Sequence, residues 1–243
     1  MSMSRGNPDC VSSVVETALS YLGDLVVDPS LLRGQMLRGT GAVADFEGML
    51  ALKCGFPYAV ATCNATAALL GLAAIFRVKG REVWFPEVHW EGSIAAFRLM
   101  GARIRRYDQG KVAKAISLRS GSRRRLVVGG KDSGDISTGS LVDATVIEDS
   151  NRMPGITVLE DDLSKADIQV LSFGPGKPLS LGEGGAVLFR KRRWYETFVR
   201  MTQHPERVTS EFGGMAGVPK TCLNARIHPI AALIGIELLR SRV

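Results

Sequence analysis

The most informative part of this sequence is the segment LSFGPGKPLSLGEGGAVLF, residues 171–189. A short apolar strand enters a loop of glycine and proline around one lysine, Lys177, and a second glycine cluster leads into the strand AVLF. The loop restricts where Lys177 can point, and the small residues leave room beside it. An amine held in a partly desolvated pocket can form an imine with an aldehyde, although a lone lysine in such a loop is usually only solvated.

An acidic strand end lies upstream, in VIEDSNR at residues 146–152. The apolar run ends in Glu148 and Asp149, and acidic residues at the carboxyl end of a parallel strand lie where α/β folds bind ligands. A carboxylate there can pair with a protonated ring nitrogen and hold it cationic. The alternative is a carboxylate that caps the following helix or turn. Only the combination with the lysine loop favours the pairing of this carboxylate with a ring nitrogen.

A third segment, ATCNATAALLGLAAI at residues 61–75, predicts a strand that turns into a helix over small residues. Asn64 or Thr66 can cap that helix, and the exposed amides of its first turn can bind a phosphate. The segment lacks the G-K-[ST] ending of a Walker loop, so on its own it is a weak signal.

A fourth segment, FPEVHWEGS at residues 85–93, follows another predicted strand. His89 and Trp90 could place an aromatic face near a ligand ring. The alternative is core packing for Trp90 and a surface position for His89, and the segment alone does not decide between the two.

The alternation of strand-like and helical segments along the chain predicts an α/β protein with a mostly parallel sheet. The predicted strands lie at 57–62, 82–86, 103–107, 125–128, 144–148, 168–172 and 186–189. The predicted helices lie at 11–26, 43–54, 65–78, 91–100, 191–202 and 229–241. Glycine-rich stretches at 129–140 and 211–219 predict loops.

The chain is basic, with a net charge of +7 and a pI near 9.5. The arginines cluster at 103–106, 123–125 and 190–193, and such clusters attract phosphate or nucleic acid. No aromatic residue interleaves the 123–125 run and no nucleic-acid module is recognisable. A solvated face is therefore the preferred interpretation, ahead of nucleic-acid binding.

Nothing in the sequence predicts a membrane or a metal site. The start MSMSRGNPDC has no apolar region of a signal peptide, and no apolar stretch is long enough to span a bilayer. The four cysteines are scattered without metal-ligand spacing. We therefore expect a cytoplasmic protein without a metal.

Taken together and in order, the four segments resemble the DegT/DnrJ/EryC1/StrS family of pyridoxal-phosphate (PLP)-dependent sugar aminotransferases. The resemblance runs from about residue 30, through TGAVADFE at 40–47, to the end of the chain, and NARIHPIAAL at 224–233 is a supporting match. It implies the fold type I large domain, an α/β three-layer sandwich with a mostly parallel sheet, and an obligate dimer. The implied division is an N-terminal helical arm at 1–30 and a PLP-binding large domain at 31–243, with the family's C-terminal small domain absent.

The resemblance also implies roles for individual residues. Lys177 would hold the cofactor as a Schiff base and shuttle a proton, Asp149 would contact the pyridine nitrogen, and Trp90 would stack on the ring. The remaining implied cofactor-binding residues are Ala65, Thr66 and Ser172 at the phosphate, Arg152 at the phenolic oxygen, and Asn224, which would reach the phosphate from the neighbouring subunit.

Two departures from the family pattern stand out, and the last helix carries a further expectation. Asn64-Ala65 replaces a Ser-Gly pair, and the added methyl group leaves less room for a phosphate to approach the backbone. Arg152 replaces a glutamine, and a guanidinium there would favour the phenolate. The last helix, 229–241, is apolar over much of its circumference, which predicts cover by a second copy or by a partner protein.

The leading hypothesis is a PLP-dependent aminotransferase that passes an amino group to a keto-sugar or a related small ketone. One alternative is PLP-dependent elimination or other amino-acid chemistry. Another is a degenerate, non-catalytic subunit of a heteromeric aminotransferase. The expected partners are a small-molecule substrate, a sugar or an amino acid, and a second subunit in a homodimer or heteromer.

Overall fold

A computed structural model of the chain describes residues 16–17, 19–20, 29–87, 89–107, 125–130, 144–149, 167–214 and 223–241. The helices in these ranges are α1 (Pro29–Arg38), α2 (Ala42–Cys54), α3 (Ala65–Ile75), α4 (Glu91–Leu99), α5 (Arg192–Thr202), α6 (Pro205–Phe212) and α7 (Pro229–Arg240). The strands are β1 (Tyr58–Thr62), β2 (Glu82–Pro86), β3 (Arg103–Tyr107), β4 (Arg125–Gly130), β5 (Ala144–Asp149), β6 (Ile168–Ser172) and β7 (Gly185–Phe189). Across these ranges no helix combines the length and apolar character needed to cross a membrane.

The strands form one sheet in the order β1-β7-β6-β5-β4-β2-β3. Strand β7 runs antiparallel to both of its neighbours, β1 and β6. The pairs from β6 through β5, β4 and β2 to β3 are parallel. The predicted mostly parallel sheet is confirmed, and the carboxyl ends of its parallel strands meet at one edge.

Two apolar layers cover the sheet. On one face, α3, α4 and α5 pack through residues such as Leu72, Phe97 and Phe198. On the other face, α2 and α7 pack through residues such as Phe46 and Ile236. The described elements therefore form the predicted α/β three-layer sandwich of fold type I.

The last helix, α7, lies against α2. A Cβ atom on Gly235 would collide with the ring of Phe46, so the glycine permits the close approach of the two helices. Residues Ala232, Ile236 and Leu239 are buried in this contact. Helix α2 thus covers part of the apolar surface of α7, and the predicted cover by a further chain stays a prediction.

The sequence did not predict α1 and α6. Helix α6 begins at Pro205, where the Nδ1 atom of His204 accepts a hydrogen bond from Glu206 N at 3.2 Å. It ends at Phe212, with Gly213 as the C-cap, inside the stretch predicted as the loop 211–219. Helix α1 begins at Pro29 and ends at Arg38. It therefore crosses residue 30, where the N-terminal arm was expected to end.

The edge strand β3 carries one of the arginine clusters. Arg105 pairs with Glu82 at 2.7 Å and Arg106 pairs with Glu91 at 2.8 Å, both at the surface. Charged side chains along an edge strand discourage pairing with another sheet. These contacts support the interpretation of a solvated face.

Candidate functional site

One edge of the sheet brings together the ends of β1 and β6 and the start of β7. Gly185 is in register with Thr62 on β1 and with Ser172 on β6. The three residues therefore form a row across the sheet, from which α3 and the lysine loop both begin. Ser172 is half-buried.

The first turn of α3 begins directly after β1. The Oδ1 atom of Asn64 accepts a hydrogen bond from Ala67 N at 2.8 Å, so Asn64 is the cap, as predicted. The hydroxyl of Thr62 donates to the carbonyl of Asn64 at 3.0 Å and fixes the turn. The amides of Ala65 and Thr66 precede the first hydrogen bond within the helix, and such amides bind anions.

The start of β7 lies in direct contact with this turn. A Cβ atom on Gly185 would lie 2.5 Å from Ala65 N and 2.6 Å from the carbonyl carbon of Asn64. Only glycine fits between these backbones without a shift of one of them. The GEGG segment therefore serves to bring the α3 turn against the sheet, a role that the sequence did not predict.

The loop 173–184 holds Lys177 through backbone hydrogen bonds. Phe173 N donates to Gly184 O at 2.9 Å, and Leu181 N donates to Phe173 O at 2.8 Å, so the loop is closed at its base. Leu179 is fully buried and anchors the loop in the core. Lys177 is half-buried, and its own N–H donates to Gly174 O at 3.2 Å. The backbone of the loop is thus fixed at its base, and the direction in which the Lys177 amine points stays a prediction.

Strand β5 ends at Asp149, which is in register with Val170 on β6. Val170 precedes Ser172 by two residues, so standard sheet spacings separate the Cα atoms of Asp149 and Ser172 by about 8 Å. Asp149 is described through its backbone position alone, and Arg152 lies outside the described residues. Their contacts with a cofactor therefore stay predictions.

The aromatic segment after β2 lies at the start of α4. Trp90 is 78 % exposed, so the alternative of core packing for this residue is wrong. Its indole lies over Gly92, where a Cβ atom would be 2.5 Å from the indole nitrogen. The ring of His89 packs on Phe85 at 5.4 Å. Stacking of Trp90 on a cofactor ring stays a prediction.

The segment 223–226 lies beside the α3 turn of the same chain. Ala225 O accepts a hydrogen bond from Cys63 N at 3.3 Å, and Ala225 N donates to Thr202 O at 2.7 Å. Asn224 between these anchors is exposed and has a positive φ of 51°, a conformation that asparagine tolerates well. Its predicted reach to the cofactor of a neighbouring subunit is not tested by one chain.

A buried ion pair near β1 was not predicted. Arg207 is 2 % exposed and donates two hydrogen bonds to the carboxylate of Glu47, at 3.0 and 2.7 Å. Burial raises the pKa of Glu47, and the charge of Arg207 opposes that shift. The two residues are 160 positions apart, so no local pattern in the sequence pairs them.

The fold is that of the fold type I PLP-dependent transferases. The family pattern of the DegT/DnrJ/EryC1/StrS aminotransferases matches residues 26–116 and 139–241. The chain belongs to this family, which confirms the family, the fold and the cofactor expected from the sequence. No curated protein matches the sequence.

Many solved structures share the fold, among them the following three. The aminotransferase PseC of Helicobacter pylori, involved in the biosynthesis of pseudoaminic acid, has a TM-score of 0.73 and 18 % identity over 99 % of this chain and 65 % of its own. An aminotransferase of the same family from Brucella abortus has a TM-score of 0.70 and 21 % identity, over 96 % and 64 %. GDP-4-keto-6-deoxymannose-3-dehydratase with bound GDP-perosamine has a TM-score of 0.73 and 16 % identity, over 98 % and 67 %. The chain thus spans about 65 % of the length of PseC.

Proposed function

We propose that this chain is a PLP-dependent aminotransferase that passes an amino group to a keto-sugar or a related small ketone. The observation that carries the proposal is the contact of Gly185 with the backbone of Asn64 and Ala65. The contact brings the first turn of α3 close to Ser172 and the base of the Lys177 loop, which supports an anion-binding role for that turn. Membership of an aminotransferase family supports the choice of reaction.

The residues present fit a small aromatic phosphate. The amides of Ala65 and Thr66 and the hydroxyl of Ser172 offer hydrogen-bond donors for a phosphate group. Lys177, on a loop that is closed at its base, would bind an aldehyde carbon through its amine. Asp149, about 8 Å from Ser172 by sheet spacing, would accept a hydrogen bond from the ring nitrogen.

The chain's own groups would do the following chemistry. Bound PLP supplies the electron sink for the carbon that reacts. The Asp149 carboxylate would keep the ring nitrogen protonated, and the Arg152 guanidinium would donate to the phenolic oxygen. The exposed Trp90 indole would pack on the ring and exclude water from one face. The Lys177 amine, once released, would accept and return the proton that moves between carbons.

We further propose that residues 31–243 are the PLP-binding large domain and residues 1–30 a helical arm. The match to the family pattern over residues 26–116 and 139–241 supports this division. The exposed Asn224 at the α3 turn supports assembly with a second subunit, either a copy of this chain or a related chain.

The experiment is an absorption spectrum of the purified protein with added PLP, before and after borohydride, with mass analysis of the Lys177 peptide. We expect a visible band that is lost in Lys177→Ala and kept in Lys79→Ala, a surface control. Glutamate should then convert the bound cofactor to its amine form. A band without that conversion by any amino donor would favour elimination or a non-catalytic subunit, and the absence of any band would overturn the proposal.

A further inference from the structure

A buried ion-pair network joins α2, α6 and the free edge of β1. Arg207 donates to both oxygens of Glu47, and its Nε donates to Glu211 Oε1 at 2.6 Å. Arg207 and Glu47 are 2 % and 7 % exposed. A buried ion pair adds little net stability compared with a well-packed apolar pair. Stability alone therefore does not explain the hydrogen bonds that connect this network to the backbone.

One arm of the network ends on the strand that leads to the α3 turn. Glu47 Oε1 accepts a hydrogen bond from Ala61 N at 2.7 Å, in addition to its bond from Arg207. Ala61 lies one residue before Thr62, whose hydroxyl fixes the carbonyl of Asn64. The carboxylate therefore holds the end of an edge strand that has no neighbouring strand on that side among the described elements.

The other arm of the network runs from Arg207 through Gln203 to Ala225, which contacts the α3 turn. Arg207 Nη1 donates to Gln203 Oε1 at 3.5 Å, and Gln203 Nε2 donates to Ala225 O at 3.4 Å. The same carbonyl accepts the hydrogen bond from Cys63 N at 3.3 Å. Through Gln203 the network thus reaches both Cys63 in the turn and the segment that carries Asn224.

We propose that Glu47 and Arg207 are positioning residues for the phosphate-binding turn of α3. They hold Ala61 and Ala225, the two backbone sites that flank the turn, and so set the position of its amides relative to Ser172. Neither residue is among those expected to touch the cofactor. This inference rests on the proposed function, because it assumes that the turn binds the phosphate group of PLP.

The test compares the same chemical change on two partners of Arg207. Glu47→Gln removes the charge that is bonded to Ala61, whereas Glu211→Gln removes a charge that is bonded to Arg207 and to Tyr195 but to neither backbone site. The dissociation constants of PLP and of inorganic phosphate are measured below the unfolding temperature of each variant. We expect about tenfold weaker binding in Glu47→Gln, as for lost supporting contacts around bound ligands, and binding within about twofold of wild type in Glu211→Gln.

Two further variants separate positioning from stability. Glu47→Leu removes the acceptor of Ala61 N as well as the charge, so its affinity should fall below that of Glu47→Gln, which keeps one acceptor oxygen. Val83→Ala creates a cavity at the amino end of β2 and should lower the free energy of unfolding without a change in affinity. If Glu47→Leu does not fold, Arg207→Lys, which keeps the charge but not the paired hydrogen bonds, takes its place.

The inference is overturned if Glu47→Gln is destabilised yet binds both probes like wild type, or if Glu211→Gln weakens binding equally. Loss of amide protection at Ala61 and Cys63, measured by hydrogen exchange, is expected in Glu47→Leu and to a smaller extent in Glu47→Gln. If wild-type protein binds neither PLP nor phosphate, it is the proposed function that fails. The two failures are thus distinguished by the wild-type measurement.

Discussion

A Cβ atom on Gly185 would lie 2.5 Å from the backbone nitrogen of Ala65. The antiparallel strand β7 therefore meets the first turn of α3 through backbone atoms alone. Because Gly185 is also in register with Ser172, this contact sets the distance between the hydroxyl and the amides that would share one phosphate group.

Gly185→Ala should weaken phosphate and PLP binding at least about tenfold and lower the free energy of unfolding by about 1–3 kcal/mol, since the methyl forces two backbones apart. Gly48→Ala is the matched control, because a Cβ atom there meets nothing within 4 Å. Alanine at that helical site should stabilise by about 0.5–1 kcal/mol. Equilibrium dialysis and urea unfolding give both quantities, and unchanged affinity in Gly185→Ala would count against this site.

Asn64→Asp should separate helix capping from phosphate binding. An aspartate keeps an acceptor for Ala67 N and favours the helix N-terminus electrostatically, so stability should be maintained. Its negative charge beside the amides of Ala65 and Thr66 should repel a phosphate and weaken its binding. Asn64→Ala should instead cost about 1 kcal/mol of stability through loss of the cap. A phosphate titration with undiminished affinity in Asn64→Asp would place the phosphate elsewhere.

Gly235→Ala should wedge α7 away from α2, because its methyl would collide with Phe46. The expected loss is about 1–3 kcal/mol in the free energy of unfolding. Phe46→Leu on its own also destabilises, but it removes the ring atoms that the methyl meets. The double variant should therefore be more stable than the sum of the single effects predicts. Simple additivity in urea unfolding would show that the two residues are not coupled.

Periodicity and resemblance predicted much of the fold because its strands are short apolar runs between turns. The segments 103–107 and 168–172 match β3 and β6 residue for residue. Helix α6 was missed because few of its residues are apolar and buried; it buries Arg207 and Val208. The antiparallel direction of β7 follows from the closed loop 173–184, which periodicity does not encode.

The candidate site was predicted where its residues are close in sequence. The lysine loop and the capping Asn64 follow from local glycine, proline and polar patterns. The tie between Ala225 and Cys63, and the pair of Glu47 with Arg207, join distant parts of the chain. Such contacts depend on how the layers pack, so a single sequence gives no signal for them.

Tyr107 should make stability fall at high pH. Its side chain is 2 % exposed, its hydroxyl donates to Val128 O at 3.0 Å, and burial raises its pKa above the ordinary value. Above about pH 10 the unfolded chain loses the phenol proton while the folded chain keeps it. The free energy of unfolding therefore falls as pH rises. This contribution is fully present below about pH 10 and is lost progressively above it.

The measurement is urea unfolding of wild type and Tyr107→Phe at pH 8 and pH 11. The variant lacks the titrating group, so its free energy of unfolding should drop less between the two pH values, by up to about 1.4 kcal/mol. All other groups titrate in both proteins and cancel in the comparison. Equal drops in the free energy of unfolding of the two proteins would show that Tyr107 ionises as readily in the folded chain as in the unfolded chain. That outcome would contradict the prediction from its burial and its hydrogen bond to Val128.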